Sequence, residues 1–239
     1  MCFIIVLFGT TLFTTIEPAQ LPSYFPRCYQ DDRNINECFI NAANSLNQYV
    51  RSGIPEIGLR PLDPFVSPDL NLTIESPITD IAASAQRFTF YRLYNYRLNS
   101  AEVRPKDGAI NGTVTLPDVG LSADYQVHGH IVNLPLSGSG DAKVEFGNII
   151  CDFLIDNWLE KFSCNEIKLE MSCKIEDVKM NLTGIPNEDA TNTLINLSSK
   201  LVASELSPAY SNIFKLLFRP FLKRLCRKYP LDHLFPLSS

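Results

Sequence analysis

The spacing of apolar residues along this 239-residue chain predicts an α+β fold: a short N-terminal helix, a long antiparallel sheet and a long C-terminal helix in one domain. Two observations carry that reading. The apolar period is near 3.6 at the start, falls to 2 across the middle, and returns to 3.6 in the last quarter. Strands succeed one another with no helix between them, which makes the sheet antiparallel.

The first element spans Asn34 to Val50, where Phe39, Ala42, Ala43, Leu46, Tyr49 and Val50 fall on one helix face. Asn34 and Glu37 are spaced as a capping pair and Gly53 stands where the helix must stop. A connection rich in proline and glycine follows, "SGIPEIGLRPLDPF" at 52–65, apolar as well as stiff. The most regular strand pattern sets Ile167, Leu169, Met171, Cys173 and Ile175 against Lys168, Glu170, Ser172 and Lys174, one face apolar and one wet. Weaker alternations run through 88–98, 113–116, 126–136, 142–146 and 178–182, with "KDG", "NG", "SGSGD" and "TGIPNED" as turns between them. The last helices carry the stripe Leu194, Leu197, Leu201 and then Tyr210, Ile213, Phe214, Leu217, Phe221 and Leu225. Pro208 and Pro220 are expected to start, bend or divide them. The basic residues between Lys215 and Lys228 read as a solvated face near a helix C-terminus.

A net charge of −5 leaves no basic surface for phosphates, so nucleic acid is not an expected partner, and charge attraction to a membrane is not expected either. Residues 1–20 read as a signal peptide, with an uncharged apolar run from Cys2 to Phe13 too short to span a bilayer. Residues 21–239 are then the mature, secreted domain, with no stable membrane insertion. Of the seven cysteines, Cys2 lies in that leader. The remaining Cys28, Cys38, Cys151, Cys164, Cys173 and Cys226 are an even set, as in disulfide-bonded extracellular chains. Sequons at Asn71, Asn111, Asn181 and Asn196 are compatible with a glycoprotein.

Catalytic and metal patterns are missing from the sequence. His128 and His130 alternate onto one strand face, but a metal needs a third ligand and the only other histidine is His233. "LSGSGD" at 136–141 lacks the spacing of a nucleophile elbow, and neither a phosphate loop nor a dinucleotide fingerprint occurs. No cofactor is expected. What remains is a surplus of aromatic and aliphatic residues, and a strongly curved sheet closed around one helix leaves an elongated interior that side chains need not fill.

Four landmarks occur in order: Cys28 with Cys38, "SGIPEIGLRPLDPF" at 52–65, "GSGDAKVEFGNI" at 138–149, and "YPLDHLFP" at 229–236. Together they resemble the secreted insect takeout and juvenile hormone binding protein family over about residues 21–237. The resemblance implies a highly curved antiparallel sheet wrapped around the long C-terminal helix, and a Cys28–Cys38 disulfide. The other four cysteines allow three pairings, which stay open. It also implies an internal tunnel for a small lipophilic ligand, a terpenoid hormone such as juvenile hormone or a fatty-acid-like chain, and no enzymatic activity.

Expected tunnel residues are Phe146, Ile150, Phe153, Leu154 and Trp158, on the strand-to-helix stretch "VEFGNIICDFLIDNW". Phe90, Tyr94, Leu116 and Met171 are added from strand faces. A monomer is expected, with a receptor or acceptor membrane as a further partner. Two alternatives are a lipid-ester hydrolase and an interaction protein without a ligand cavity.

Overall fold

The computed structural model describes residues 21–158 and 163–238, so the expected leader at 1–20 lies outside the described residues. The first predicted helix forms as two, α1 (Ile35–Ser45) and α2 (Asn47–Val50). The strands are β1 (Phe65–Val66), β2 (Leu70–Ser76), β3 (Thr79–Tyr91), β4 (Arg97–Arg104), β5 (Ala109–Leu116), β6 (Gly120–Ile131), β7 (Leu134–Pro135), β8 (Gly138–Phe146), β9 (Ile149–Asp156), β10 (Lys168–Ile175) and β11 (Val178–Leu182). Three helices close the chain: α3 (Glu188–Leu197), α4 (Ser199–Lys228) and α5 (Leu231–Leu234).

All strand pairs are antiparallel, as predicted, and they form two hydrogen-bonded sheets. One has the order β1-β3-β6-β8-β11, with β2 also on β3 and β7 on β6; the other runs β10-β9-β5-β4. The 30-residue α4 packs on β10 in the second sheet and on β2 and β11 in the first, so its apolar face meets both. Val202, Leu206, Tyr210, Ile213 and Phe214 of that face are all buried in one core with residues of the two sheets.

Open strand edges invite further pairing, and here three of them are covered by helix side chains. The Asn44 amide of α1 both donates to Leu98 O (3.0 Å) and accepts from Leu98 N (2.8 Å), and Asn36 Oδ1 accepts from Val103 N, along β4. On β10, Ser211 Oγ accepts from Cys173 N and Ser207 Oγ from Ile175 N. On β11, Asn192 and Asn196 of α3 each exchange two hydrogen bonds with the main chain, at Leu182 and Met180. Sequon residue Asn196 therefore holds a structural position. These asparagines and serines look like ordinary helix-surface residues in the sequence; in the fold they complete the sheets.

Several expectations give way to tertiary forces. Asn34 has φ −102°, ψ 22° rather than an extended backbone and its side chain makes no capping bond; its amide donates to Asp32 Oδ1 instead. Pro208 and Pro220 neither start nor divide a helix, because α4 runs through both. Both lie on its exposed side, and burial of the opposite face offsets their cost of about 3 kcal/mol each. The stripe Leu194, Leu197, Leu201 turns outward, with Leu197 78% exposed, while Thr191, Ile195 and Val202 face in.

"NG" and "SGSGD" are not turns: Gly112 pairs inside β5, and Gly138 and Gly140 lie in β8. A Cβ on Gly140 would stand 2.3 Å from Thr183 O, so glycine is there to let the chain after β11 cross closely. Residues 126–136 are broken by a tight turn at Val132 and Asn133, both with positive φ (50° and 60°), between β6 and β7. Likewise 88–98 divides into the ends of β3 and β4, and "VEFGNIICDFLIDNW" holds two strands, not a strand and a helix.

Candidate ligand-binding cavity

Of three disulfides among the described residues, two fix the region where the chain ends meet. Cys28–Cys38 ties the N-terminal arm to α1, and Cys151–Cys173 bridges directly opposed residues of β9 and β10. Cys164–Cys226 joins the segment before β10 to the end of α4. Around Cys28–Cys38 and Cys164–Cys226 a separate apolar cluster forms, containing Cys28, Trp158, Cys164, Leu222, Cys226 and Phe235, while Cys151 and Cys173 belong to the main core.

Between that cluster and α1 lies a cavity of about 270 Å³. Phe39, Ala42, Ala43 and Leu46 of α1 and its exit roof it; Ile54, Ile57 and Leu59 of the 52–65 connection close one side. Ile110 and Ile155 come from the second sheet, Trp158 from just past the end of β9, and Phe221, Leu222 and Leu225 from α4. The half-burial of the α1 stripe follows from this arrangement, since those side chains face a hollow rather than packed atoms. The connection is rigid for the same reason. Ile54 and Leu59 bridge across a one-turn 3₁₀ helix (Pro55–Ile57) that ends at left-handed Gly58, and this holds Ile54 and Ile57 as a wall.

The polar side-chain groups on this wall are already engaged. Tyr96 Oη donates to Ala43 O at 2.6 Å, and Trp158 Nε1 donates to Tyr229 O at 3.2 Å. Burial pushes the Tyr96 phenol up to about 12 from 10.0. A folded state that holds this proton more tightly than the unfolded chain keeps its full contribution below pH 10 and loses it as pH rises from 10 to about 12. At about 1.4 kcal/mol per pH unit, the loss from this group is on the order of 3 kcal/mol. Tyr96→Phe is expected to remove that part of the alkaline fall in stability; an unchanged alkaline limb in urea titrations would refute it.

A second apolar cavity of about 120 Å³ lies between the first sheet and the N-terminal half of α4, lined by Ile81, Phe88, Val127, Val144, Leu206 and Tyr210 among others. The α4 residues that reach the two cavities, Tyr210 and Phe221, are about 16 Å apart along the axis at 1.5 Å per residue. Phe214 and Phe218 occupy the helix between them. Phe90 stacks on Phe214 (5.7 Å), Phe214 meets Phe218 (6.3 Å), and Phe88 meets Phe90 edge-on (5.0 Å). Among the described residues these aromatic rings lie along α4 between the two apolar hollows.

A protein-family model, haemolymph juvenile hormone binding protein, matches residues 2–236. The chain belongs to the haemolymph juvenile hormone binding protein family. Its structure is similar to that of Takeout 1 from Epiphyas postvittana, with a TM-score of 0.73 at 19% identity over 89% of this chain and 100% of that one. A weaker likeness, to lipopolysaccharide binding protein, has a TM-score of 0.32 at 11% identity over 77% of this chain and 38% of that one, and carries no argument. No curated protein sequence matches.

Within this juvenile hormone binding protein family member, Trp158 lines the larger cavity. The other expected tunnel residues lie elsewhere. Phe90 and Phe146 are core, the latter edge-on to Tyr210 at 4.7 Å, and Leu116 is buried opposite Ile149. Tyr94 lies under the Arg51 guanidinium, and Met171 packs half-buried on the main core. Ile150 and Leu154 alternate onto the face of β9 away from Ile149 and Cys151, while Phe153 shares their inner face and packs on the disulfide cluster. Three of the four landmark segments, Cys28 with its partner, 52–65 and 229–236, converge on the larger cavity; their unusual apolarity for loops was the available signal.

The hollows on the outer surface are polar. One of about 490 Å³ is lined by Arg87, Asp124, Asp141 and Lys143, with Arg87 and Asp124 paired. Among the described residues no cluster of histidine, cysteine and carboxylates has metal-site geometry. His128 Nδ1 lies 3.0 Å from Ser137 Oγ on the exposed surface, and His130 is across from Asp80 in the sheet register.

Proposed function

We propose that this protein is a secreted, non-enzymatic carrier that holds a small lipophilic ligand in the cavity beneath α1. The carrying observation is a cavity of about 270 Å³ whose wall is carbon and whose tyrosine and tryptophan polar groups are bonded to backbone carbonyls. Such a wall favours a guest that sheds apolar surface from water, at ~0.8 kcal/mol per methylene, so a chain of about fifteen carbons has a gross gain near 12 kcal/mol. Association costs of about 4 to 15 kcal/mol oppose it. A terpenoid such as juvenile hormone or a fatty-acid-like chain fits this chemistry, and the family supports it. Three disulfides support an extracellular setting, and no described helix is long and apolar enough to cross a membrane.

Mass spectrometry of organic extracts from natively purified protein is expected to find a lipophile in stoichiometric amount. Ala42→Trp, which fills the roof, is expected to weaken displacement of a bound apolar fluorophore at least tenfold with the circular dichroism unchanged. Equal affinity in that variant would sink the reading. Ester hydrolysis has one favourable observation, the Ser137–His128 pair, but neither residue lines either hollow. A carrier turns over no model ester, and Ser137→Ala leaves ligand binding intact.

A further inference from the structure

Helix side chains complete the sheet edges at β4, β10 and β11, but not the edge at β2. That strand pairs only with β3, and among the described residues no helix side chain bonds to its main chain. The β2–β3 hairpin closes on Ser76 and Thr79, so Ser76, Ile74, Leu72 and Leu70 turn their main-chain groups to β3 while Asn71, Thr73 and Glu75 turn theirs outward. The side chains of those three are exposed as well. An open edge of this kind is a template for pairing with another chain unless something covers it. Asn71 begins the sequon Asn71-Leu72-Thr73.

We propose that Asn71 and Asn181 carry N-linked glycans and that Asn111 and Asn196 do not, the sugar on Asn71 covering the β2 edge. This rests on the secreted part of the carrier reading, because the sugar donor, a lipid-linked oligosaccharyl diphosphate, acts in the secretory compartment. Transfer forms a bond from Nδ2 to C1 of the sugar as the bond from C1 to the diphosphate oxygen breaks, and Nδ2 gives up one of its two protons to the transferase. All four sequons suit that reaction in an unfolded chain; what separates them is the use the fold makes of each amide. Asn196 Nδ2 donates to Met180 O at 2.9 Å and its Oδ1 accepts from Met180 N at 2.8 Å. A clasp of that shape uses the Nδ2 hydrogen on the same side as Oδ1. A glycosylated amide is secondary and trans, which puts the sugar in the place of that hydrogen. A chain glycosylated at Asn196 therefore cannot close α3 on β11. Asn111 is half-buried on β5, between β4 and β9, and accepts from Arg104, which also pairs with Glu102. Asn71 and Asn181 are exposed, and their side chains make no hydrogen bond among the described residues. Asn181 also lines the polar hollow of about 490 Å³ together with Thr89, Ser122 and Lys143, which gives a first sugar both room and polar partners.

The test expresses the full chain with its own N-terminus in cultured insect cells. Protein from the medium is treated with peptide-N-glycosidase in heavy-oxygen water, which turns each glycosylated Asn into a labelled Asp. Peptide mass spectrometry is expected to find the label at Asn71 and Asn181, with Asn111 and Asn196 unlabelled. On gels, Asn71→Gln and Asn181→Gln are each expected to lose the mass of one glycan. Ser198→Ala, which removes the Asn196 sequon without touching its amide, is expected to leave mobility unchanged. Asn71→Gln is also expected to self-associate as concentration rises in sedimentation, while Asn181→Gln, which loses a sugar away from β2, sediments as the parent does. Label at Asn111 or Asn196 in the secreted protein overturns the assignment, as does a bare Asn71 or Asn181. An Asn71→Gln protein that associates no more than the parent overturns the covering role of that sugar. Secreted protein without any glycan overturns the inference and leaves the carrier reading intact. A chain that never reaches the medium brings down the secreted reading and this inference with it.

Discussion

Replacing both Cys164 and Cys226 by alanine is expected to lower the unfolding free energy by about 4 kcal/mol. The bridge spans a sequence separation of 62, and in the chain-entropy model closing a loop of that length removes about that much freedom from the unfolded state. The Cys28–Cys38 bridge, with a separation of 10, is expected to contribute only about 3 kcal/mol. The longer bridge also has a functional consequence. It anchors the end of α4, where Leu222 and Leu225 line the larger cavity, to the segment that follows Trp158. Its loss is therefore expected to weaken ligand binding as well as stability. Urea unfolding of the double variant without reductant measures the first effect and probe displacement the second; a stability loss under about 1 kcal/mol would show that the native contacts, not the crosslink, hold this end together.

Phe214→Ala is the second large effect, with an expected loss of about 3 to 5 kcal/mol, since the ring is 1% exposed and lies between Phe90 and Phe218. Its removal also takes away the middle of the partition between the two hollows. The variant is thus expected to retain longer lipophiles than the parent protein, visible as a shift to higher mass in the extracted ligand. A companion variant, Phe218→Ala, acts at a half-buried ring and is expected to lengthen the bound ligand at a smaller cost in stability. If both variants unfold more easily but select the same ligand lengths, the aromatic rings are core and not a divider.

The candidate site was only partly legible. Phe146, Ile150, Phe153, Leu154 and Trp158 were expected together from the stretch "VEFGNIICDFLIDNW"; of these Trp158 lies on the larger cavity, while Ile150 and Leu154 fall on the other face of β9. Alternation says that a strand has two faces; it does not say which one meets a cavity, and on β9 both carry apolar residues. Besides Ile110, Ile155 and Trp158, the wall of the larger cavity comes from α1, the 52–65 connection, the end of α4 and the C-terminal "YPLDHLFP", segments far apart in the chain.

The sequence by itself determined the order of helix, antiparallel strands and long terminal helix, because the 3.6 and 2.0 periods are local consequences of backbone geometry. It also determined an even set of cysteines suited to an oxidising compartment, and the absence of the usual catalytic motifs. Only the tertiary structure decided that α4 runs unbroken through Pro208 and Pro220, that asparagines and serines on three helices complete strand edges, and that apolar hollows form beneath α1 and between the first sheet and α4. Each of these depends on burial and hydrogen bonding between segments distant in sequence, and those contacts outweigh local preferences wherever an apolar face or an open strand edge must be covered.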